Sequence, residues 1–324
     1  MTAPGDTRKI GDPSPRVVAV LGCGTIGCSW AEAFLAAGFD VRAWDPRPDF
    51  ELPLLRSAEK LAGELAGKLA GTLHVCSTPV SAVCEAQFVQ ESGPENLQLK
   101  AALFASIADK LAPTAVVASS TSTIMPSVLQ QGCAFAERLL VGHPFNPPHI
   151  LPLVEIVGGT RTSETSIELA MRFYRDVGKH PIRLRTERPG HLANRLQAAI
   201  WREAVDAVAS GQADVADVDA VITLALGPRW ALTGPFATFN LGGGPGGLRH
   251  FLEHLGPAFD ALWDDARRPL LTAALQESLI AQTSRAQGER SIADIAAARD
   301  LALVDILRTA ITFSLSTPGP GRSG

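Results

Sequence analysis

Charge of one sign is not in excess. The 29 Lys and Arg face 33 Asp and Glu, a net of −4 at pH 7, which leaves no basic field to draw in nucleic acid or an anionic membrane. Long apolar runs are missing too: none approaches the roughly 20 residues that span a bilayer. The polar, proline-rich opening at 1–15 also lacks the apolar stretch of a signal peptide. The five cysteines (Cys23, Cys28, Cys76, Cys84, Cys133) are odd in number and form no C-x-x-C pair, so spacing indicates neither a disulfide framework nor a zinc site. They are expected as small buried hydrophobes in a reducing cytoplasm. The chain is therefore expected to be soluble and cytoplasmic and to bind no metal, with disordered tails at 1–15 and 316–324.

What is present suits a folded protein of two domains. Hydrophobic residues make up 46% of 324 positions and charged residues 19%, enough for a sizeable core. From residue 16 to about 186, short β-branched runs alternate with helical stretches. Strands are predicted at 17–22, 39–45, 73–76, 87–90, 115–118, 139–141, 153–157 and 182–185, with helices at 29–37 and 163–177. That alternation predicts an α/β Rossmann-type doubly wound sheet, parallel and covered on both faces. Past Thr186-Glu187-Arg188-Pro189-Gly190 the period changes to three and four, as in Leu196, Ile200, Ala204 and Ala207. Helices are predicted at 192–210, 215–226, 245–255, 269–285 and 291–311, so an all-α domain at 189–315 follows a nucleotide-binding domain at 16–188.

Gly22-Cys23-Gly24-Thr25-Ile26-Gly27 has the G-x-G-x-x-G spacing, follows the first strand and opens a helix. That context makes it a dinucleotide fingerprint. Gly22 allows the tight turn, Gly24 lets backbone approach a diphosphate, and Gly27 lets helix pack on strand. The helix N-terminus, with Thr25 and Ile26, supplies unpaired N–H groups for the anion. Asp45, at the end of the second strand, is placed to accept from ribose hydroxyls and to repel a 2′-phosphate, which favours NAD over NADP, with Arg47 close by.

Downstream stand Ser119-Ser120-Thr121-Ser122-Thr123 after a strand, HPFNPP at 143–148, LVE at 153–155 and GHLANRL at 190–196. In an open α/β sheet the C-terminal strand ends border the ligand crevice, so the serines and His143 face the cofactor. These motifs resemble the 3-hydroxyacyl-CoA dehydrogenase family, on the branch that includes carnitine dehydrogenase and lambda-crystallin (gulonate 3-dehydrogenase), and the likeness covers nearly the whole chain. The resemblance implies His143 as catalytic base, Glu155 as its carboxylate partner, and Ser122 and Asn194 as hydrogen-bond donors to the reacting oxygen or the imidazole. It also implies Glu91 near the nicotinamide ribose, Asn146 at the substrate, and a homodimer formed through the helical domain. An imidazole suits the role because its ordinary pKa, near 6.5, lies close to working pH.

Family members acting on thioesters carry a long lysine-bearing hairpin after the second strand. Here the stretch 46–72 is short and holds only Lys60 and Lys68, which argues for a small free acid. Arg229 and Trp230, in GPRWALTG at 227–234, resemble a segment of the carnitine and gulonate enzymes. A guanidinium fork there fits a free carboxylate. Trp201, Trp230, Phe236 and Phe239 are candidates for a cage around a quaternary ammonium. The expected activity is NAD-dependent oxidation of a free 3-hydroxy acid, carnitine-like before gulonate-like. A thioester dehydrogenase and a non-catalytic, crystallin-like or dinucleotide-binding role remain as alternatives.

Overall fold

The computed structural model describes residues 17–51, 54–56, 58 and 71–316. The segments expected as tails, Ser316 apart, lie outside the described residues, as do Lys60 and Lys68. The chain divides into two compact units, Met1–Asn194 and Arg195–Gly324.

The first unit is built on eight strands: Val17–Leu21 (β1), Asp40–Trp44 (β2), Leu73–Val75 (β3), Phe88–Glu91 (β4), Val116–Ser119 (β5), Leu139–Pro144 (β6), Leu153–Gly158 (β7) and His180–Leu184 (β8). Their order is β3-β2-β1-β4-β5-β6-β7-β8, so the chain reverses its direction of travel across the sheet between β1 and β4. β-Branched runs such as VVAVL can be buried on both faces. Alternate residues of β1 join different cores: Val18 and Val20 lie in one hydrophobic cluster, Ala19 and Leu21 in the other. This is the predicted Rossmann-type architecture, with helices against both faces.

The expectation of parallel pairing throughout is corrected at one place. β6 and β7 pair antiparallel, while β7 and β8 are parallel again. The physical reason is the connection: residues 145–152 alone join β6 to β7, and a parallel crossover needs about a dozen or more. β6 also runs three residues past its predicted end at 141, and in the resulting register His143 stands directly opposite Glu155.

The helix Glu164–Asp176 packs behind this pair of strands. The side chain of Ser163 caps it by accepting from the Ser166 N–H, and Ile167, Ala170 and Tyr174 are buried at helical spacing. Tyr174, the only tyrosine in the chain, lies over Gly142, where an added Cβ would sit 2.1 Å from the phenol oxygen. A side chain at 142 would therefore displace the ring. The Tyr174 hydroxyl donates to Gln90 Oε1 (2.5 Å), and the Gln90 amide donates to Ser120 Oγ (2.9 Å). Burial pushes the phenol pKa well above its usual value, so the group remains a donor.

The second unit is all-helical, as predicted. After Ala193–Ala209, which starts in the first unit, come Val215–Val221, a π-helical turn Ile222–Leu226, Gly227–Gly242, Gly247–Asp265, Ala273–Gln287 and Ile292–Ser316. The helix Gly227–Gly242 was not predicted. Its glycines and prolines read as loop, yet the chain stays helical apart from a break at Gly234, φ +66°. The helix predicted at 245–255 runs on to Asp265 through Pro257. Among the described residues of this unit, Val205 and Phe251 are the only buried hydrophobic side chains, while Leu224 is 81% and Phe236 79% exposed.

Tyr174→Phe removes the donor to a fully buried amide oxygen. The urea unfolding midpoint should fall by the equivalent of about 1–3 kcal/mol, and an unchanged midpoint would show that the hydroxyl carries no such role.

Candidate active site

The glycine turn has the geometry the spacing calls for. Gly22 holds φ +93°, and a Cβ there would meet the Gly93 nitrogen at 2.6 Å; one at Gly27 would meet the Gly22 carbonyl oxygen at 1.8 Å. Around Gly24 the space is open. The helix Thr25–Ala36 begins next, with no side-chain cap and no acidic residue in its first turn. Thr25 is exposed and Ile26 half-buried, so the first N–H groups are left for an anion. Asp45 accepts from the Cys23 N–H (2.7 Å), the Arg47 N–H (3.0 Å) and Arg47 Nε (2.8 Å). Burial works to raise its pKa, but the bonds from Arg47 and Cys23 outweigh that and hold the carboxyl below its ordinary range. A cavity of about 420 Å³ adjoins these groups, lined by Gly22, Asp45, Arg47, Glu91, Leu99 and Lys100 among others. An open glycine, a bare helix N-terminus and an ionised carboxylate beside a largely apolar cavity fit a dinucleotide.

Across β6 and β7 lies a line of polar groups. His143 is 4% exposed and Glu155 fully buried. His143 Nδ1 is 2.9 Å from Glu155 Oε2, and Glu155 Oε1 accepts from the N–H groups of Leu192 (3.0 Å) and Ala193 (2.9 Å). Burial would raise the Glu155 pKa, yet the bonds from His143, Ala193 and Leu192 hold it below the usual value. Glu155 is thus a carboxylate, which only accepts, so Nδ1 bears the imidazole hydrogen. The Nε2 lone pair is left facing Ser122 Oγ at 3.2 Å. Such a line can take up a proton at Nε2, with the carboxylate stabilising the imidazolium that results.

Ser122 sits on the turn beyond β5, and Glu95 holds that turn. Its Oε1 accepts from Thr121 Oγ1 (2.6 Å), Thr123 Oγ1 (2.7 Å) and the N–H groups of Ser122 (3.1 Å) and Thr123 (2.8 Å). Sequence reasoning missed Glu95. The available signal was the run of hydroxyls at 119–123, which needs an acceptor wherever it is buried. Lys100, also missed, is buried against Glu91, with Nζ 2.7 and 2.8 Å from the two carboxylate oxygens. Ser119 Oγ and the Gly93 N–H donate to the same carboxylate. Glu91 thus lines the cavity while its oxygens are engaged by the protein's own donors.

Other candidates fall as follows. Asn194 lies in the first turn of the helix Ala193–Ala209, one residue after the amide held by Glu155. Asn146 is exposed just beyond β6. In the second unit Arg229 is exposed, its Nε–H donating to the Ala225 carbonyl (3.1 Å), and Trp230 is half-buried. Of the proposed cage, Phe236 and Phe239 line a cavity of about 580 Å³ with Phe251 and Phe259, and neither Trp201 nor Trp230 is among its lining residues. All five cysteines are unpaired; four are buried, but Cys84 is exposed, against expectation, because it lies at the end of the short surface helix Pro79–Val83. Among the described residues no group of His, Cys, Asp and Glu could hold a metal ion.

Residues 17–187 match the family model "3-hydroxyacyl-CoA dehydrogenase, NAD binding domain" and residues 190–285 the corresponding C-terminal domain. The chain is 45% identical over 312 residues to an L-carnitine dehydrogenase of Streptomyces griseus, covering 94% of this chain and 91% of that protein. It is 42% identical over 298 residues to an L-carnitine dehydrogenase of Pseudomonas putida, with 90% and 93% covered. Among solved structures, the NAD+-dependent dismutase 5-formyl-3-hydroxy-2-methylpyridine 4-carboxylic acid 5-dehydrogenase superposes with a TM-score of 0.78 at 26% identity, covering 93% of this chain and 99% of that one. With both of its domains matched and these relatives alike over nearly their full length, the chain belongs to the 3-hydroxyacyl-CoA dehydrogenase family.

Proposed function

We propose that this NAD-dependent oxidoreductase converts a small free 3-hydroxy acid, carnitine or a compound close to it, to the 3-oxo acid, with His143 as general base. The observation that carries the reading is the Ser122–His143–Glu155 line, whose unprotonated Nε2 faces the Ser122 hydroxyl in a domain of the NAD-binding type. The relatives named L-carnitine dehydrogenase, alike over nine-tenths of the chain, support the choice of acid.

NAD+ supplies the acceptor for the hydride leaving the C–H carbon. The chain's own groups handle the proton. His143 Nε2 takes it from the substrate hydroxyl, and Glu155, fixed by two backbone amides, stabilises the imidazolium that results. Ser122 and Asn194 donate to the oxygen as negative charge builds on it, a contribution of about 2.7–4 kcal/mol for one such donor in other enzymes. Gly22, Gly24, Thr25, Ile26 and Gly27 hold the diphosphate and Asp45 the adenosine ribose. Glu91 acts at the cofactor through the wall it forms with Lys100. Asn146 contacts the substrate, and Arg229, with Trp230 beside it in sequence, takes the carboxylate in its guanidinium fork.

The working unit is a homodimer formed through the second unit. The support is its exposed apolar surface, including Leu224, Phe236, Leu241, Leu270, Ile292 and Leu301, each at least 68% exposed, far more than a solvated helical unit usually shows. The enzyme works in the cytoplasm, a reading supported by its unpaired thiols. No described helix is long and apolar enough to cross a membrane.

NADH formation measured with L-carnitine, gulonate, 3-hydroxybutyrate and 3-hydroxybutyryl-CoA should give the highest kcat/KM with L-carnitine; preference for the thioester would overturn the reading. In that assay His143→Gln should lower kcat by about 10²–10⁴ while leaving NADH binding intact, and undiminished turnover would remove the base. Asp45→Ala frees Arg47 to meet a 2′-phosphate, so the NADP+/NAD+ ratio of kcat/KM should rise by at least about tenfold; a constant ratio would exclude the ribose contact. Sedimentation should show twice the monomer mass, and a stable monomer at micromolar concentration would disprove the dimer.

A further inference from the structure

A second imidazole lies against the proton-transfer line, and none of the steps above uses it. His191 is 3% exposed, with its ring centroid 5.0 Å from that of His143. Its Nε2 is 2.9 Å from the Thr121 carbonyl oxygen. A carbonyl only accepts, so Nε2 carries the hydrogen. Nδ1 is buried and has no hydrogen-bond partner among the described residues.

We propose that His191 is a positioning residue for proton transfer: as a neutral Nε2–H imidazole it ties the turn bearing Ser122 to the backbone that holds Glu155. This rests on the reading of His143 as the base. The side chain of residue 191 holds Thr121, the neighbour of Ser122, while the next two amides, of Leu192 and Ala193, both donate to Glu155 Oε1. Three consecutive residues therefore set both ends of the Ser122–His143–Glu155 line. The backbone at His191 turns through φ +50°, with its own N–H on the Arg188 carbonyl at 3.0 Å. That left-handed conformation is uncommon outside glycine, although histidine adopts it more readily than most residues. It brings the two following amides onto one oxygen.

Neutrality follows from the surroundings. Protonation would put a second donor at Nδ1, where nothing accepts it, and the cost of a buried unpaired polar group would be incurred. The titratable groups facing the ring are His143 on β6, Glu155 on β7 and Glu95 in the loop after β4. During turnover His143 becomes a cation, which disfavours a second one at this distance. Glu155 and Glu95 pull the other way, but each is already satisfied, by His143 and two amides and by the 121–123 turn respectively. Burial dominates and lowers the His191 pKa from its ordinary value. Oxidation then requires two neutral imidazoles, so the acid limb of log kcat/KM steepens toward a slope of about two where a lone base gives about one.

Two variants test this with L-carnitine and NAD+. His191→Phe keeps the ring volume and loses the donor: kcat should fall about tenfold, the rate equivalent of one hydrogen bond, with KM for NAD+ unchanged. His191→Gln keeps a donor near Nε2 and cannot titrate: kcat should return to within about threefold of wild type, and the acid limb should relax to a slope of about one. Wild-type kcat in the phenylalanine variant overturns the proposal, as does equal impairment of both variants with a lowered Tm. Imidazole ¹⁵N shifts of the wild-type protein at pH 7 read the tautomer without any substrate, and a protonated or Nδ1–H His191 overturns the proposal too. If the wild type turns over none of the acids, the oxidation reading fails, and the ¹⁵N shifts still decide the state of His191.

Discussion

A carboxylate with no exposed surface is costly, and the site is organised around the cost at Glu155. Removing an ion of this size from water carries a penalty of several kcal/mol, and here three donors offset it: His143 Nδ1–H and the amides of Leu192 and Ala193. Because those donors satisfy the charge, Glu155 stays ionised and dictates the state of its neighbours. It fixes the hydrogen of His143 on Nδ1, leaves Nε2 as a lone pair, and orients the ring toward Ser122. The imidazole is thus preorganised by hydrogen bonding.

The fold supplies what this arrangement needs. The one antiparallel pairing among the described residues sets His143 directly opposite Glu155, and facing residues in such a pair project to the same side with Cβ atoms roughly 5 Å apart. Behind them Gly142 admits the Tyr174 ring, and Tyr174, Gln90 and Ser120 link the helix Glu164–Asp176 to β4 and the turn after β5. On the other side of the serine turn, Glu95 gathers four donors onto one oxygen. Glu91 and Glu155 are buried and saturated with donors, so small displacements would leave a charge unpaired. That makes the arrangement rigid.

The glycine turn follows a different logic. Its shape depends on absent side chains, at Gly22 and Gly27, with open space around Gly24, beside an ionised Asp45 that keeps Arg47 occupied. In the second unit few side chains are buried, and many large apolar residues are exposed. One chain thus joins a saturated polar centre, an open anion cradle and an unsaturated apolar face.

Much of this was legible from residue order. The eight strands, the glycine turn and Asp45 could be picked out because period, β-branching and motif spacing are local properties, and the set Ser122, His143 and Glu155 was named by the family resemblance of its motifs. Three things were not. The helix Gly227–Gly242 hid behind glycine and proline, whose loop preference tertiary context overrides. Glu95 and Lys100 carry no motif of their own, since their partners lie 9 to 28 residues away, and His191, though inside GHLANRL, has its partner Thr121 70 residues away. The antiparallel register of β6 and β7 decided that His143 and Glu155 meet at all, because sliding one strand by a single residue turns its side chains to the opposite face. Sequence alone determined which polar groups the strand ends carry. Tertiary structure decided their protonation and their pairing, because both depend on burial and on distances that only packing sets.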